Sequence, residues 1–258
     1  MNRRDFLSKA FFLAAGNFLG LNIFSKAIAC DISRRRHQSW PLIALIIDDI
    51  GFSPARTRQF LEIGIPITFS ILPRLRDSCL LAYEIRNMGH EIMLHQPMEP
   101  HSLAIDPGPG ALYVGYEANQ ITTIVEDNIS SIPFVAGVNN HMGSLFTEYT
   151  DKIGEVLKVV KKRSLFFVDS LTSNHSMAYR TARSLHMVSA RRSVFLDNVQ
   201  EEKAILSQLH KLGRCAARHG RAIGIGHPHI ETAKALRRFV NEFKQPGSFV
   251  HVSSLLYS

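Results

Sequence analysis

Nine side chains able to do acid–base or metal chemistry sit at or just beyond the ends of apolar runs. They are Asp48, Asp49, His95, Glu99, Asn140, His141, Asp169, Asp197 and His227. One histidine at the end of an apolar run is usually a structural hydrogen-bonding group. Three histidines with several carboxylates, each in the same context, point to a shared site. That set suits a divalent cation. Imidazole nitrogen and carboxylate oxygen both bind zinc well, and a catalytic zinc uses about three protein ligands with one position open to water. Such a cation lowers the pKa of its bound water to about 7 and makes a hydrolytic nucleophile. A second carboxylate can take the proton, and a neighbouring histidine can protonate a leaving group.

The elements that would bring these residues together are legible from the apolar pattern. Residues 42–47, Leu-Ile-Ala-Leu-Ile-Ile, run without polar alternation into Asp48-Asp49. Such a run reads as a strand buried on both faces, as in a parallel sheet or barrel. Taken alone, the Asp pair is equally a helix cap and a solvated neighbour. Further strands are expected at 66–72, 90–95, 134–141, 165–170, 222–227 and 249–252. Residues 187–190 and 194–198 together read as one more strand followed by an acidic loop. Helical spacing falls between these, at 53–63, 78–88, 117–128, 151–162, 177–185, 201–219 and 230–243. Strict alternation of this kind argues an α/β fold with a parallel sheet. Seven or eight units in the space available favour a closed or nearly closed barrel, in which all strand C-termini open on one face. The long Pro- and Gly-rich loop that follows His95 would form a rim to that face. His90 reads as the solvated start of its strand. Arg191-Arg192 reads as a solvated pair or as a binding element for an anionic group.

Composition bounds the partners. A 45% hydrophobic, 20% charged chain is ordinary globular material, and its formal net charge of +8 is only mildly basic. No dense Lys/Arg block interleaved with aromatics occurs in the core, so nucleic acid is not expected as a partner. Cys30, Cys79 and Cys215 make neither a disulfide framework nor a thiolate zinc site. Residues 1–29 have the order of an export signal: Arg3-Arg4 before Phe6-Leu7, an apolar stretch, then Ala27-Ile28-Ala29 ahead of Cys30. The paired arginines resemble a twin-arginine signal, and Ala-Ile-Ala-Cys is a loose lipobox at Cys30. Residues 30–40 read as a linker and 41–258 as one domain. The protein is therefore expected outside the cytoplasm, periplasmic or envelope-associated, touching a membrane only through the signal or a lipid anchor.

The motifs also carry a family resemblance. Ile47-Asp48-Asp49-Ile50-Gly51, His95-Gln96-Pro97-Met98-Glu99-Pro100, Asp106-Pro107-Gly108-Pro109, Asn140-His141-Met142-Gly143-Ser144, Phe167-Val168-Asp169-Ser170, Phe195-Leu196-Asp197-Asn198 and Gly226-His227-Pro228 resemble the divergent polysaccharide deacetylase family. This is a branch of the polysaccharide deacetylase, or carbohydrate esterase family 4, superfamily. The resemblance implies an irregular (β/α)7-type barrel, a divalent metal, with zinc the expected ion, and a polysaccharide substrate such as peptidoglycan or another envelope glycan. It implies Asp48 as catalytic base, Asp49 and His95 as metal ligands, and His227 as general acid. Where the superfamily places a second metal histidine four residues after the first, this chain has Glu99. The third ligand is therefore Glu99 or His141, with His141 preferred. Asn140, Asp169 and Asp197 would support the histidines from behind, helix capping being the alternative for the two acids. The superfamily's Arg-Pro-Tyr motif is absent. A non-catalytic glycan-binding or scaffold protein on the same barrel is the rival reading.

Overall fold

A computed structural model describes residues 41–102, 104–243 and 248–258. The expected export signal of residues 1–29, the lipobox expected at Cys30 and the expected linker of residues 30–40 lie outside the described residues.

The first strand, β1 (Leu42–Ile50), is an interior strand of the sheet. It is followed by α1 (Pro54–Leu61), β2 (Thr68–Ile71), α2 (Ser78–Asn87), β3 (Glu91–Met98) and α3 (Ala118–Ser130). Next come β4 (Val135–Met142), α4 (Thr150–Lys162), β5 (Phe166–Asp169), α5 (Ala178–Ser184), β6 (Ser189–Arg191) and β7 (Val194–Phe195). The chain closes with α6 (Glu202–His219), β8 (Arg221–Gly226), α7 (Ile230–Glu242), β9 (Phe249–Val250) and α8 (Val252–Leu256). The strand order is β6-β5-β4-β3-β2-β1-β8-β7, with β9 added to β1. Every pairing is parallel, which is what βα alternation requires.

The unbroken apolar run of β1 has a simple cause. Ile43, Leu45 and Ile47 pack outward against the helices, while Ala44 and Ile46 pack inward with Met93, Phe166, Val168, Ile223 and Ile225. Successive side chains point to opposite faces of a strand, so a strand buried on both faces must be apolar throughout. Val252 and Leu255 of α8 join the inner cluster and plug the N-terminal end of the barrel. Each isoleucine so buried contributes on the order of 2 kcal/mol.

The closing segment departs from the sequence expectation of a single strand. Arg192 N donates to Asp169 O, on the β5 side, whereas Ser193 N donates to Ile223 O and Leu196 N to Ile225 O, on the β8 side. One extended segment thus serves both edges of the curled sheet, its first half with β5 and its second half with β8. Counting β6 and β7 as one stave, the ring has seven, the irregular (β/α)7-type barrel expected. β3 also runs longer than expected: it continues past His95 to Met98 and is bridged there to Leu112. No helix among the described residues is long and apolar enough to cross a membrane.

Candidate metal centre and active site

The site is built at the C-terminal end of β1. In a regular strand, Asp48 and Asp49 would face opposite sides. Here the register of β1 against β2 shifts between Ile47 and Ile50, and Asp49 adopts φ 58°, in the left-handed region. Asp tolerates that region better than most residues, because its short polar side chain can bond locally. The bulge turns both carboxylates toward the barrel mouth. Gly51 then turns the chain away at φ 131°; a Cβ there would lie 2.8 Å from Ser78 Oγ and 2.9 Å from Leu75 Cδ1.

Three donor atoms converge in front of the pair. Asp49 Oδ1 lies 2.9 Å from His141 Nδ1 and 3.2 Å from His95 Nε2, and the two imidazole nitrogens are 3.2 Å apart. Asp49 Oδ1 is buried yet receives no well-aligned hydrogen bond. Three lone-pair atoms facing one another around an orphaned carboxylate oxygen repel unless a positive charge sits among them. Burial alone would favour neutral Asp49, but contacts with His141 and His95 outweigh it and hold the carboxyl well below the ordinary range. Burial likewise opposes a charge on His95, but Asp48 and Asp49 raise its pKa. Asp49, His95 and His141 therefore fit a divalent cation by donor type and by charge.

Behind them stands a residue that sequence reading missed. Asn139 Nδ2 donates to Asp48 Oδ1 at 2.9 Å, and Asn139 Oδ1 lies 2.7 Å from His95 Nδ1. An ionised carboxylate only accepts, which fixes the amide orientation; an amide oxygen only accepts, which places the His95 proton on Nδ1. Nε2 is left with its lone pair toward the cluster. Ser70 Oγ donates to the same Asn139 oxygen. The signal for Asn139 was its position two residues before His141, on the same face of β4. Asp48 itself is 3% exposed, and its Oδ2 lies 3.7 Å from His95 Nε2. Burial raises its pKa, only partly offset by His95, His227 and Asn139, so it is a stronger base than an exposed carboxylate.

On the opposite wall, His227 Nδ1 lies 2.9 Å from Asp197 Oδ1, and its Nε2 is 3.9 Å from Asp49 Oδ2. Asp197 Oδ2 accepts from His227 N and Thr232 Oγ1. Burial opposes the imidazolium, but Asp197 first, then Asp48 and Asp49, push the His227 pKa up to about 9. Asp197 is held below the ordinary range by the same contacts, against its own burial.

Other expected residues are not brought to the cluster. Glu99 Oε2 accepts from Val114 N, and Glu99 O accepts from Leu145 N and Phe146 N, so it ties two loops together. The reason is conformational. Four residues along an extended strand span about 13 Å, whereas a helical turn would have put positions 95 and 99 side by side. Asn140 alternates away from Asn139 and instead braces Met142 O and Ser170 N. Asp169 accepts from Leu171 N, Ser176 Oγ and Tyr179 N, fastening the turn before α5 and orienting no histidine. His90 is not a solvated strand start: it is buried, accepting from Ile67 N at Nδ1 and lying 3.1 Å from Leu61 O at Nε2.

A model of the divergent polysaccharide deacetylase family matches residues 45–256, nearly the whole described domain. The chain belongs to that family. Among its relatives is the uncharacterized protein YibQ of Escherichia coli, 32% identical over 215 residues, 83% of this chain and 67% of that one. The crystal structure of an uncharacterized Agrobacterium tumefaciens protein, ATU2773, shares 26% identity and a TM-score of 0.77 over 83% of this chain and 89% of its own. The catalytic domain of a peptidoglycan N-acetylglucosamine deacetylase from Eubacterium rectale shares the fold, with a TM-score of 0.53 at 13% identity over 82% of this chain and 88% of its own. The polysaccharide deacetylase barrel thus frames the cluster described above.

Proposed function

We propose that this family member is an exported, metal-dependent hydrolase that removes acetyl groups from a cell-envelope polysaccharide, with peptidoglycan as the leading substrate. The observation that carries the reading is the convergence of Asp49, His95 and His141 between a buried Asp48 and an Asp197-oriented His227. Asp49, His95 and His141 would hold the cation, for which zinc suits the two-imidazole, one-carboxylate set. When bound, that cation would supply Lewis-acid polarisation of the acyl oxygen and acidify an attacking water. Asp48, raised by burial and steadied by Asn139, takes the proton of the water. His227, whose pKa is raised chiefly by Asp197, gives its Nε2 proton to the departing amine or hydroxyl. Asp197 holds its ring in place throughout. The fold shared with a peptidoglycan deacetylase supports the substrate class, and the paired arginines and Ala-x-Ala of residues 1–29 support export.

Release of acetate from acetylated peptidoglycan and chitin-type oligomers by the zinc-loaded protein tests the reading. Activity that disappears in Asp48→Ala while zinc binding persists is the expected result. Protein that binds zinc yet releases acetate from none of these glycans would instead favour the rival reading, a glycan-binding or scaffold protein. The replacement of a histidine by Glu99, and its use as a loop tie, is the specific observation on that side.

A further inference from the structure

The seam of the barrel carries a second concavity that the metal cluster does not use. Because the closing segment pairs with β5 first and β8 afterwards, the ring stays open between β6 and the start of β8. A cavity of about 810 Å³ fills that opening. Its rim presents Arg183, Arg191, Arg221, His186 and His219, and no carboxylate lines it. Its floor is apolar, with Met187 and Leu255 buried beneath. Arg221 opens β8 and His227 follows its last residue, roughly 20 Å away along the strand direction, so the cavity is separate from the metal cluster.

Three guanidiniums around one concavity repel one another, and among the described residues none of the three forms an ion pair. Arg221 Nη1 is held by Leu255 O at 3.0 Å, which leaves the rest of its fork directed elsewhere. Arg183 and Arg191 are exposed, on α5 and β6. A planar guanidinium fork matches the oxygens of a phosphate better than any other side chain, and several forks together recognise a multiply charged anion. The volume lies within the range of small-molecule pockets, so it can take a whole phosphate-bearing molecule. We propose that the seam is a binding site for a phosphate-bearing anion whose apolar or sugar body rests on the Met187–Leu255 floor. This gives Arg191, whose role as solvated or anion-binding the sequence left open, a ligand. The site does not depend on hydrolysis at the metal cluster.

Calorimetric titration of the full chain, freed of metal with chelator, with inorganic pyrophosphate at 150 mM NaCl tests the proposal. Saturable one-site binding is expected. It should fall at least tenfold in the Arg183→Glu/Arg191→Glu variant and be kept in Asp49→Ala, which disables the other site. If the double variant melts early, Arg183→Gln alone, at an exposed helix position, should give a smaller loss with a native melting curve. Cosedimentation with phosphatidylglycerol vesicles, against phosphatidylcholine vesicles, separates the sources. Binding to both pyrophosphate and the anionic vesicles makes the ligand a lipid headgroup; binding to pyrophosphate alone makes it a free phosphate compound. No saturable binding, or binding unchanged by charge reversal at both arginines, overturns the proposal, as does loss in Asp49→Ala.

Discussion

At the residue scale, the two adjacent aspartates divide by environment. Asp49 faces two imidazole nitrogens and is held ionised, while Asp48 is buried against Asn139 and is raised. Neighbouring groups pushed in opposite directions commonly mark different chemical jobs. Asn139 couples the two by bonding Asp48 with one end and His95 with the other. Replacing it by Ala should weaken zinc binding about 10- to 100-fold, the usual cost of losing a group that orients a metal ligand. Competition with a zinc chelator measures this, and Asn140→Ala, which removes only loop contacts, should leave the affinity near wild type. His227 gives a pH test. A proton donor works only while protonated, so activity through His227 is present below its pKa and is lost as pH rises through it; that pKa is about 9 without a cation and is lowered when a cation on Asp49 offsets the charge facing the ring. Asp197→Asn removes the anion that contributes most to holding the proton. The alkaline limb of the rate profile should then move to lower pH, with substrate affinity little changed; an unmoved limb would show that His227 is not the donor.

At the element scale, what matters is where each strand stops being regular. β1 ends in a bulge with Asp49 at φ 58° and Gly51 at φ 131°, and β4 ends with Met142 at φ 52° and Gly143 at φ 80°. These breaks turn the chain at the barrel mouth and aim side chains that a continuing strand would carry past it. Gly51→Ala should destabilise the protein by about 2–3 kcal/mol, because the added methyl meets Ser78 and Leu75 and the backbone conformation is unfavourable for alanine. Gly64, at φ 83° with nothing within 4 Å of the added Cβ, should tolerate Ala at a cost of about 1 kcal/mol. Urea unfolding of the two variants separates strain plus collision from strain alone. Glu99 belongs at this scale too. Glu99→Gln should leave zinc affinity unchanged and increase proteolytic nicking near residues 102–114, because the bond to Val114 N loses its charge.

At the scale of the whole molecule, the cation should couple the strands it joins. Asp49, His95 and His141 come from β1, β3 and β4, so a bound ion ties strands that lie apart in sequence. At 100-fold excess over its dissociation constant, zinc should stabilise the fold by about 2.7 kcal/mol, seen as a raised melting temperature that chelator reverses and Asp49→Ala abolishes. The barrel itself was legible in the sequence, because strands buried on both faces and alternating with amphipathic helices have few other ways to hide their apolar surface. So was the gathering of Asp48, Asp49, His95, His141 and His227 on one face, since each closes an apolar run at the C-terminal side of its strand. The sequence favoured His141 but left Glu99 open, because a spacing of four means neighbours on a helix and about 13 Å on a strand. Nor could it tell Asn139 from Asn140, which depends on which way one pleat faces, or divide residues 187–198 between two sheet edges. Those choices belong to register and to the bulge at Asp48-Asp49, and both are set by contacts with strands far away in the chain.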